Sequence, residues 1–276
     1  MTQQDAAGPI AFIGGGNMAR SLIGGLVVQG RAAGSIRVAE PVDALRDALA
    51  KDFGVAVFAT AGEAAAGAST VVLAVKPQVM RAVCGELAGV APADALMVSI
   101  AAGITSAQID RWLGGGRAIV RAMPNTPSLI GQGVTGLFAT GAVTPAQRQR
   151  AAALLESGGP TTWIDDEALM DAVTAVSGSG PAYVFLLAEA MQAAAERQGL
   201  PPDAASLLVR QTIAGAAAML VQAVEPAPVL RARVTSPGGT TQAAVETLQA
   251  GGFAALLDRA IERATQRGRE LSAAND

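Results

Sequence analysis

The first half of the chain alternates short apolar runs with amphipathic stretches. Ile10–Ile13 reads as a strand, a glycine-rich turn follows, and 17–29 has the helical period, ending at Gly30. Ile36–Ala39 is a second strand, followed by a helix over 43–53 that closes near Gly54. The runs 55–58, 70–75, 96–100 and 118–122 complete six strand candidates. Short β-rich runs bounded by glycines, with helices between them, predict a parallel, doubly wound α/β sheet of the Rossmann type. Near residue 165 the texture changes. Helical patterns follow over 167–176, 181–198 and 202–224, then a break at Glu225-Pro226. A helix over 241–250 closes at Gly251-Gly252, where a left-handed cap is expected, and a last one covers 253–272. No stretch of β alternation appears in this half. The reading gives two domains, a dinucleotide-binding Rossmann domain over 1–165 and an all-α domain over 166–276.

Composition narrows the chemistry. The 276 residues are 51% hydrophobic with a net charge of −3, so the chain is globular rather than disordered. A pI of about 5.1 gives no footprint for nucleic acid. The N-terminal residues lack a basic segment, so no signal peptide is expected. The apolar run 172–188 is short and broken by Ser-Gly-Ser-Gly-Pro, so no membrane span is expected. The single cysteine, Cys84, cannot form an internal disulfide, which suits a reducing cytoplasm. There is no histidine, which excludes a histidine base, proton shuttle or metal site, and no metal is expected. Lys51 and Lys76 are the only lysines, so everything after residue 76 lacks both of the commonest neutral-pH proton carriers.

Three motifs carry chemistry. Gly14-Gly15-Gly16-Asn17-Met18-Ala19 follows the first strand and opens a helix, the context that makes a G-x-G-x-x-A run a phosphate cradle. Gly14 permits the tight turn, Gly16 lets backbone approach a pyrophosphate, and Ala19 lets helix and sheet pack closely. Glu40, after the second strand, stands where an acid meets an adenine ribose and favours NAD over NADP; a solvated acid capping the next helix is the alternative reading. Ala74, Val75, Lys76 and Pro77 end the fourth strand. Ser99-Ile100-Ala101-Ala102-Gly103 ends the fifth with small residues, as a close-lying nicotinamide needs. Met123-Pro124-Asn125-Thr126-Pro127 ends the sixth, its prolines expected to hold Asn125 and Thr126 outward. Ligands of doubly wound sheets lie beyond strand carboxyl ends, so the three loops point to one rim. In the helical half, Ser236-Pro237-Gly238-Gly239-Thr240-Thr241 reads as a capped helix start with Ser236 as N-cap and Pro237 first in the helix. Its exposed N–H and hydroxyl groups suit a small carboxylate. Ser177-Gly178-Ser179-Gly180-Pro181 allows a kink or a close crossing. Tyr183, the only tyrosine, reads as a core residue beside Phe185 and Leu186.

In order and spacing, these runs resemble the pyrroline-5-carboxylate reductase family over about residues 10–272. The resemblance implies a Rossmann domain followed by a helical domain that carries substrate and interlocks with a partner subunit. The product would be a homodimer or higher homo-oligomer acting on a small molecule. It implies hydride transfer from NADPH or NADH to the C=N carbon of 1-pyrroline-5-carboxylate, giving L-proline. By position, Ile13, Gly14, Gly15, Gly16, Asn17, Met18 and Ala19, with Glu40, Ala74, Val75, Lys76 and Pro77, would hold the cofactor, and Ala102 and Gly103 would lie near the nicotinamide. Met123, Asn125, Thr126, Ser236, Gly239, Thr240 and Thr241 would bind substrate, Thr241 meeting the ring nitrogen as the catalytic group. One position departs from the pattern: many relatives place asparagine after the third strand, where this chain has Ala61. A cyclic imine that binds already protonated needs no strong protein acid or base, in keeping with a helical half without histidine or lysine. Alternatives are a related imine or hydroxy-acid oxidoreductase, the latter needing a base this half lacks, and a non-catalytic NAD(P)-binding regulator.

Overall fold

The computed structural model describes residues 8–275; the N-terminal stretch read for a targeting signal lies, except Gly8, outside them. Eight strands form one sheet in the order β3-β2-β1-β4-β5-β6-β7-β8. They are β1 (Ile10–Ile13), β2 (Ile36–Ala39), β3 (Ala56–Phe58), β4 (Thr70–Leu73), β5 (Leu96–Ser99), β6 (Ala118–Met123), β7 (Thr135–Ala139) and β8 (Thr161–Trp163). The first six strands are parallel, β7 runs antiparallel to β6, and β8 is parallel to β7. The chain order reverses between β1 and β4, which opens a crevice at their carboxyl ends.

The period-two pattern along the central strands explains the two-sided core. Ile10 and Phe12 of β1, Val72 of β4, and Leu96 and Val98 of β5 enter one cluster. Ala11 and Ile13, Val71 and Leu73, and Met97 enter the other. The first face is covered by α1 (Asn17–Val28), through Ala19, Leu22, Ile23 and Leu26, and by α6 (Pro145–Leu155) through Ala151, Leu154 and Leu155. Leu49 of α2 (Asp43–Phe53) joins them. The second face is covered by α3 (Ala61–Ala65), α4 (Pro77–Leu87) and α5 (Ser106–Trp112). A strand buried on both faces reads as continuous apolar sequence, which is why these runs stand out.

Strand ends differ from the sequence reading by a residue or two. The largest difference is at 74–75: Ala74 donates to the Ile13 carbonyl as a last rung, and the chain then turns into a loop. The strands β7 and β8 were not foreseen. β8 has only three residues, and β7 is interrupted by Gly136, whose missing side chain makes room for Val173: a Cβ there would lie 2.5 Å from Val173 Cγ1.

The second half is helical, with α7 (Met170–Val173), α8 (Gly180–Arg197), α9 (Pro202–Gln222), α10 (Ala227–Arg233), α11 (Thr240–Ala250) and α12 (Phe253–Ala274). The helix expected over 167–176 is instead a 3-10 turn at Glu167–Leu169, the short α7, and a π turn at Thr174–Gly178. The expected break after residue 224 contains α10, started by Pro226 and Ala227. Of the glycine pair closing α11, Gly251 stays right-handed and only Gly252 is left-handed, at φ +78°. The chain forms two compact units. One holds the residues up to Ser179 and those from Arg263 on; the other is Gly180–Glu262. The first unit extends beyond the change of texture because the π-turn segment packs on the sheet and the end of α12 packs on the β5–α5 loop.

Candidate active site

The cradle is built on β1. Gly14 donates its N–H to Ala39 O at 2.9 Å and adopts φ +99°. A Cβ there would sit 2.8 Å from the Ala74 carbonyl oxygen, so only glycine fits. Ile13 and Gly15 are buried, and Ala19 is closed into the core beneath the turn. Gly16 is the N-cap of α1, with no side chain capping it, no acid in the first turn, and open space where a Cβ would stand. Gly16 and Asn17 are exposed and Met18 is half-buried. The first N–H groups of α1 therefore face an empty, electropositive corner, the setting a phosphate takes.

Glu40 is not the solvated capping acid of the alternative reading. Its side chain is buried: Oε2 accepts from Gly15 N at 3.1 Å and Oε1 from Val42 N at 3.1 Å. The carboxylate thus braces the middle of the glycine turn. Arg46, one turn into α2, reaches back to the carbonyls of Glu40 at 2.7 Å and Pro41 at 2.9 Å. Ala61 is the first residue of α3 behind a Thr60–Glu63 capping box, and it is buried. Across the β1–β4 crevice, Ala74 and Val75 are half-buried; Lys76 is exposed as the N-cap of α4, and Pro77 is its first residue.

Beyond β5, Ala102 is half-buried and Gly103 is buried at φ +69°. Beyond β6 the expectation for Asn125 is corrected. Its Nδ2 donates to Ser177 O at 3.3 Å and Ser177 Oγ at 3.4 Å, and its Oδ1 accepts from Val134 N at 3.0 Å. Asn125 therefore ties the β6 loop to the π turn, and only Thr126 is exposed. Met123 presses on the same turn: its Cε fills the space a Cβ at Gly178 would need. The Met-Pro-Asn-Thr-Pro and Ser-Gly-Ser-Gly motifs are thus one construction. π turns recur at functional sites because they widen and re-aim a helix.

Behind this rim lies a polar network that the sequence reading missed. The Glu167 carboxylate accepts from Ser106 N at 2.7 Å, from Ser106 Oγ at 2.5 Å and from Arg121 Nη1 at 2.8 Å. Arg121 is 7% exposed. Asp171 sits beside them, and burial raises its carboxyl above the ordinary value, against the pull of Arg121 and Arg269. Burial also pushes the Cys84 thiol up to about 12, which makes it inert. No cluster of metal-ligating side chains occurs among the described residues.

In the second unit the 236–241 turn differs from the expected cap. Ser236 and Pro237 precede the helix: Gly239 N donates to Ser236 O at 3.0 Å, and α11 begins at Thr240 with Gly239 as its N-cap. The left-handed φ of +69° at Gly238 is incompatible with helix and delays the start. Gln242, not singled out from sequence, accepts from Gly238 N at 2.7 Å and fixes the turn. It occupies the third helical position, where Gln reaches back in capping boxes, and that spacing was the available signal. The α11 start has no side-chain cap and no acid in its first turn. Ser236 and Thr240 are exposed, and Gly239 and Thr241 are half-buried. Tyr183 is half-buried, and its expected core neighbours Phe185 and Leu186 are 62% and 65% exposed.

Two family models match the chain: NADP oxidoreductase coenzyme F420-dependent over residues 9–103, and pyrroline-5-carboxylate reductase dimerisation over 167–271. The pyrroline-5-carboxylate reductase of Pseudomonas aeruginosa is 53% identical over 264 residues, covering 95% of this chain and 96% of that protein. That of Vibrio alginolyticus is 42% identical, with 95% and 97% covered. Among solved structures, the pyrroline-5-carboxylate reductase of Coxiella burnetii superimposes with a TM-score of 0.93 at 41% identity, covering 96% of this chain and 99% of that one. The Plasmodium falciparum enzyme, with NADP bound, gives 0.84 at 27% identity over 96% and 98%. With near-complete coverage by relatives at this identity, the chain belongs to the pyrroline-5-carboxylate reductase family.

Proposed function

We propose that this protein reduces 1-pyrroline-5-carboxylate to L-proline with NADPH or NADH, as a homodimer or higher homo-oligomer in the cytoplasm. The observation that carries the reading is a conjunction in one chain without histidine. It has an open glycine cradle at Gly16 and an uncapped helix start at Thr240 behind Ser236–Gly239 backbone. The cradle fits a dinucleotide: the space beside Gly16 is empty, and the first turn of α1 offers unpaired N–H groups with no competing acid.

When bound, the reduced nicotinamide supplies the hydride. The chain's own work is placement. Ile13, Gly14, Gly15, Gly16, Asn17, Met18 and Ala19 shape the pyrophosphate end. Glu40 and the Ala74–Val75–Lys76–Pro77 run line the crevice, and Ala102 and Gly103 leave room for a flat ring. Glu40 favours the free ribose hydroxyl of NADH, whereas the Plasmodium relative holds NADP, so both cofactors are assigned. Ser236, Gly239, Thr240 and Thr241 take the substrate carboxylate and ring. The imine enters protonated. The hydride pair forms the new C–H bond, the C=N π pair passes to nitrogen, and the resulting amine takes a proton from water. The Thr241 hydroxyl orients the ring nitrogen. Near-attack placement, with reacting atoms about 3–3.5 Å apart, then replaces side-chain acid–base work.

Assembly is supported by the second unit. No residue of α8, α10 or α11 is buried, and Leu207, Leu208, Leu220 and Leu256 all stand more than half exposed. An apolar surface of that extent requires cover. Among the described residues, α9 is the one helix long and apolar enough to cross a membrane. We assign its cover to a second copy, because Arg210 stands mid-helix, where a bilayer penalises charge.

The test is steady-state oxidation of NADPH and NADH by the purified protein. Oxidation is expected only with 1-pyrroline-5-carboxylate present, and Thr241→Val should lower kcat/KM for the imine by about tenfold, the scale of one lost hydrogen bond. No turnover with either cofactor, alongside normal cofactor binding, would overturn the reading in favour of a regulatory NAD(P)-binding protein.

A further inference from the structure

The last turns of α12 lie against the β5–α5 loop. A Cβ on Gly103 would stand 3.1 Å from Leu271 Cβ and 3.7 Å from Ser272 N, so the helix backbone is stacked directly on this left-handed glycine. Asn275 Nδ2 donates to Gly103 O at 3.3 Å. Two residues on, Thr105 is held by Gln108. Gln108 Oε1 accepts from Thr105 N at 2.8 Å, and its Nε2 donates to Ser272 O at 2.9 Å. Gln108 is 4% exposed, so its amide is committed on both sides. Next in the chain, Ser106 is fixed by Glu167, itself paired with Arg121. α12 is anchored in turn at Gly268, where a Cβ would lie 2.8 Å from Asp171 Oδ1. Gly103 and Thr105 of the loop and Ser106, the first residue of α5, are therefore clamped, two of the three by the same helix end.

A surface loop needs no such clamp merely to connect a strand to a helix. Loops are ordinarily the mobile parts of an α/β fold. Ile104 anchors the loop's inner side in the core, but the Ala102–Gly103 crest itself carries almost no side chain to fix its height. We propose that the end of α12, through Leu271, Ser272 and Asn275 with Gln108 as the bridge, is a positioning device that sets the height of the Ala102–Gly103 crest against the nicotinamide ring. This rests on the reading above that 102–103 lies beside that ring. The clamp makes no contact with substrate. Its effect is on the hydride distance, where a displacement of about 1 Å lowers rate by up to ~10²-fold.

The test compares the full-length oligomer with a form lacking residues 270–276 and with Gln108→Met, which keeps side-chain length but loses the amide's bonds to Thr105 and Ser272. Both variants should keep the oligomeric state by size exclusion. Both should also keep KM for the imine and Kd for NADPH within about twofold. The deletion should lower kcat about tenfold and Gln108→Met about threefold, and the primary isotope effect with deuterated NADPH should rise as hydride transfer becomes rate-limiting. Lower thermal stability with unchanged kcat and isotope effect would overturn the proposal, leaving the helix end a structural staple. A parallel loss of cofactor affinity would also overturn it. If the full-length enzyme itself fails to turn over the imine, it is the reaction assignment that falls.

Discussion

Two glycines two positions apart do opposite things. Gly14 is fixed by its left-handed backbone and by the Ala74 carbonyl beneath it, so substitution there attacks the fold. Gly16 has an ordinary φ of −68° and nothing near its missing side chain, so substitution there attacks only what binds. Gly16→Ala should therefore leave the thermal midpoint unchanged within a degree or so while weakening NADPH binding by about tenfold or more, measured by titration calorimetry. A large stability loss, or unchanged affinity, would show that the open face is not the phosphate cradle. At this scale residue types were legible and partners were not. The glycine spacing announced a cradle. Nothing in a linear reading showed that Glu40 turns inward to Gly15 or that Asn125 is spent on Ser177, because those bonds join residues 25 and 52 positions apart; only Gln242, four positions from the Gly238 N–H it accepts, left a signal in its spacing.

Among elements, the central parallel strands were legible because burial on both faces forces unbroken apolar runs. β7 and β8 were not, β7 being interrupted by Gly136 and β8 a three-residue edge strand, and the pairing of both is set by the sheet they join. The segment 167–178 has a helical composition but folds as a 3-10 turn, a short helix and a π turn, because it must pack Val173 on Gly136 and accept Met123 on Gly178. Asp171 gives this segment a pH signature. Its carboxyl titrates above the ordinary 3.8 when folded, chiefly through burial. A raised folded-state pKa favours the folded form at low pH, and that stabilisation is lost as pH rises through the folded value. Near neutral pH the charged carboxylate is thus a net cost. Asp171→Asn is expected to raise the thermal midpoint near pH 7, with the advantage shrinking as pH approaches 3.8. A midpoint lowered at neutral pH would mean that attraction to Arg121 and Arg269 outweighs burial.

For the molecule as a whole, the division into a sheet half and a helical half was visible in texture, and the compact units are drawn differently because chain ends return. The residues from Arg263 on belong with the sheet although their sequence is that of the helical half. The second unit was the least legible part. Its helices are recognisable, but Phe185, Leu186 and Leu256 stand exposed, and a pattern read along a single sequence cannot say what covers them. The central claim is that a reduced nicotinamide on the Gly14–Gly16 rim and an imine carboxylate on the 236–241 turn meet without a protein acid or base. A crystal structure of the assembled oligomer with NADP+ and L-proline tests it most directly. The proline carboxylate should sit on the backbone of 238–241, with its ring carbon about 3–3.5 Å from the hydride-accepting nicotinamide carbon. Proline bound elsewhere, or a 236–241 turn facing away from the glycine cradle in every subunit pairing, would contradict the account.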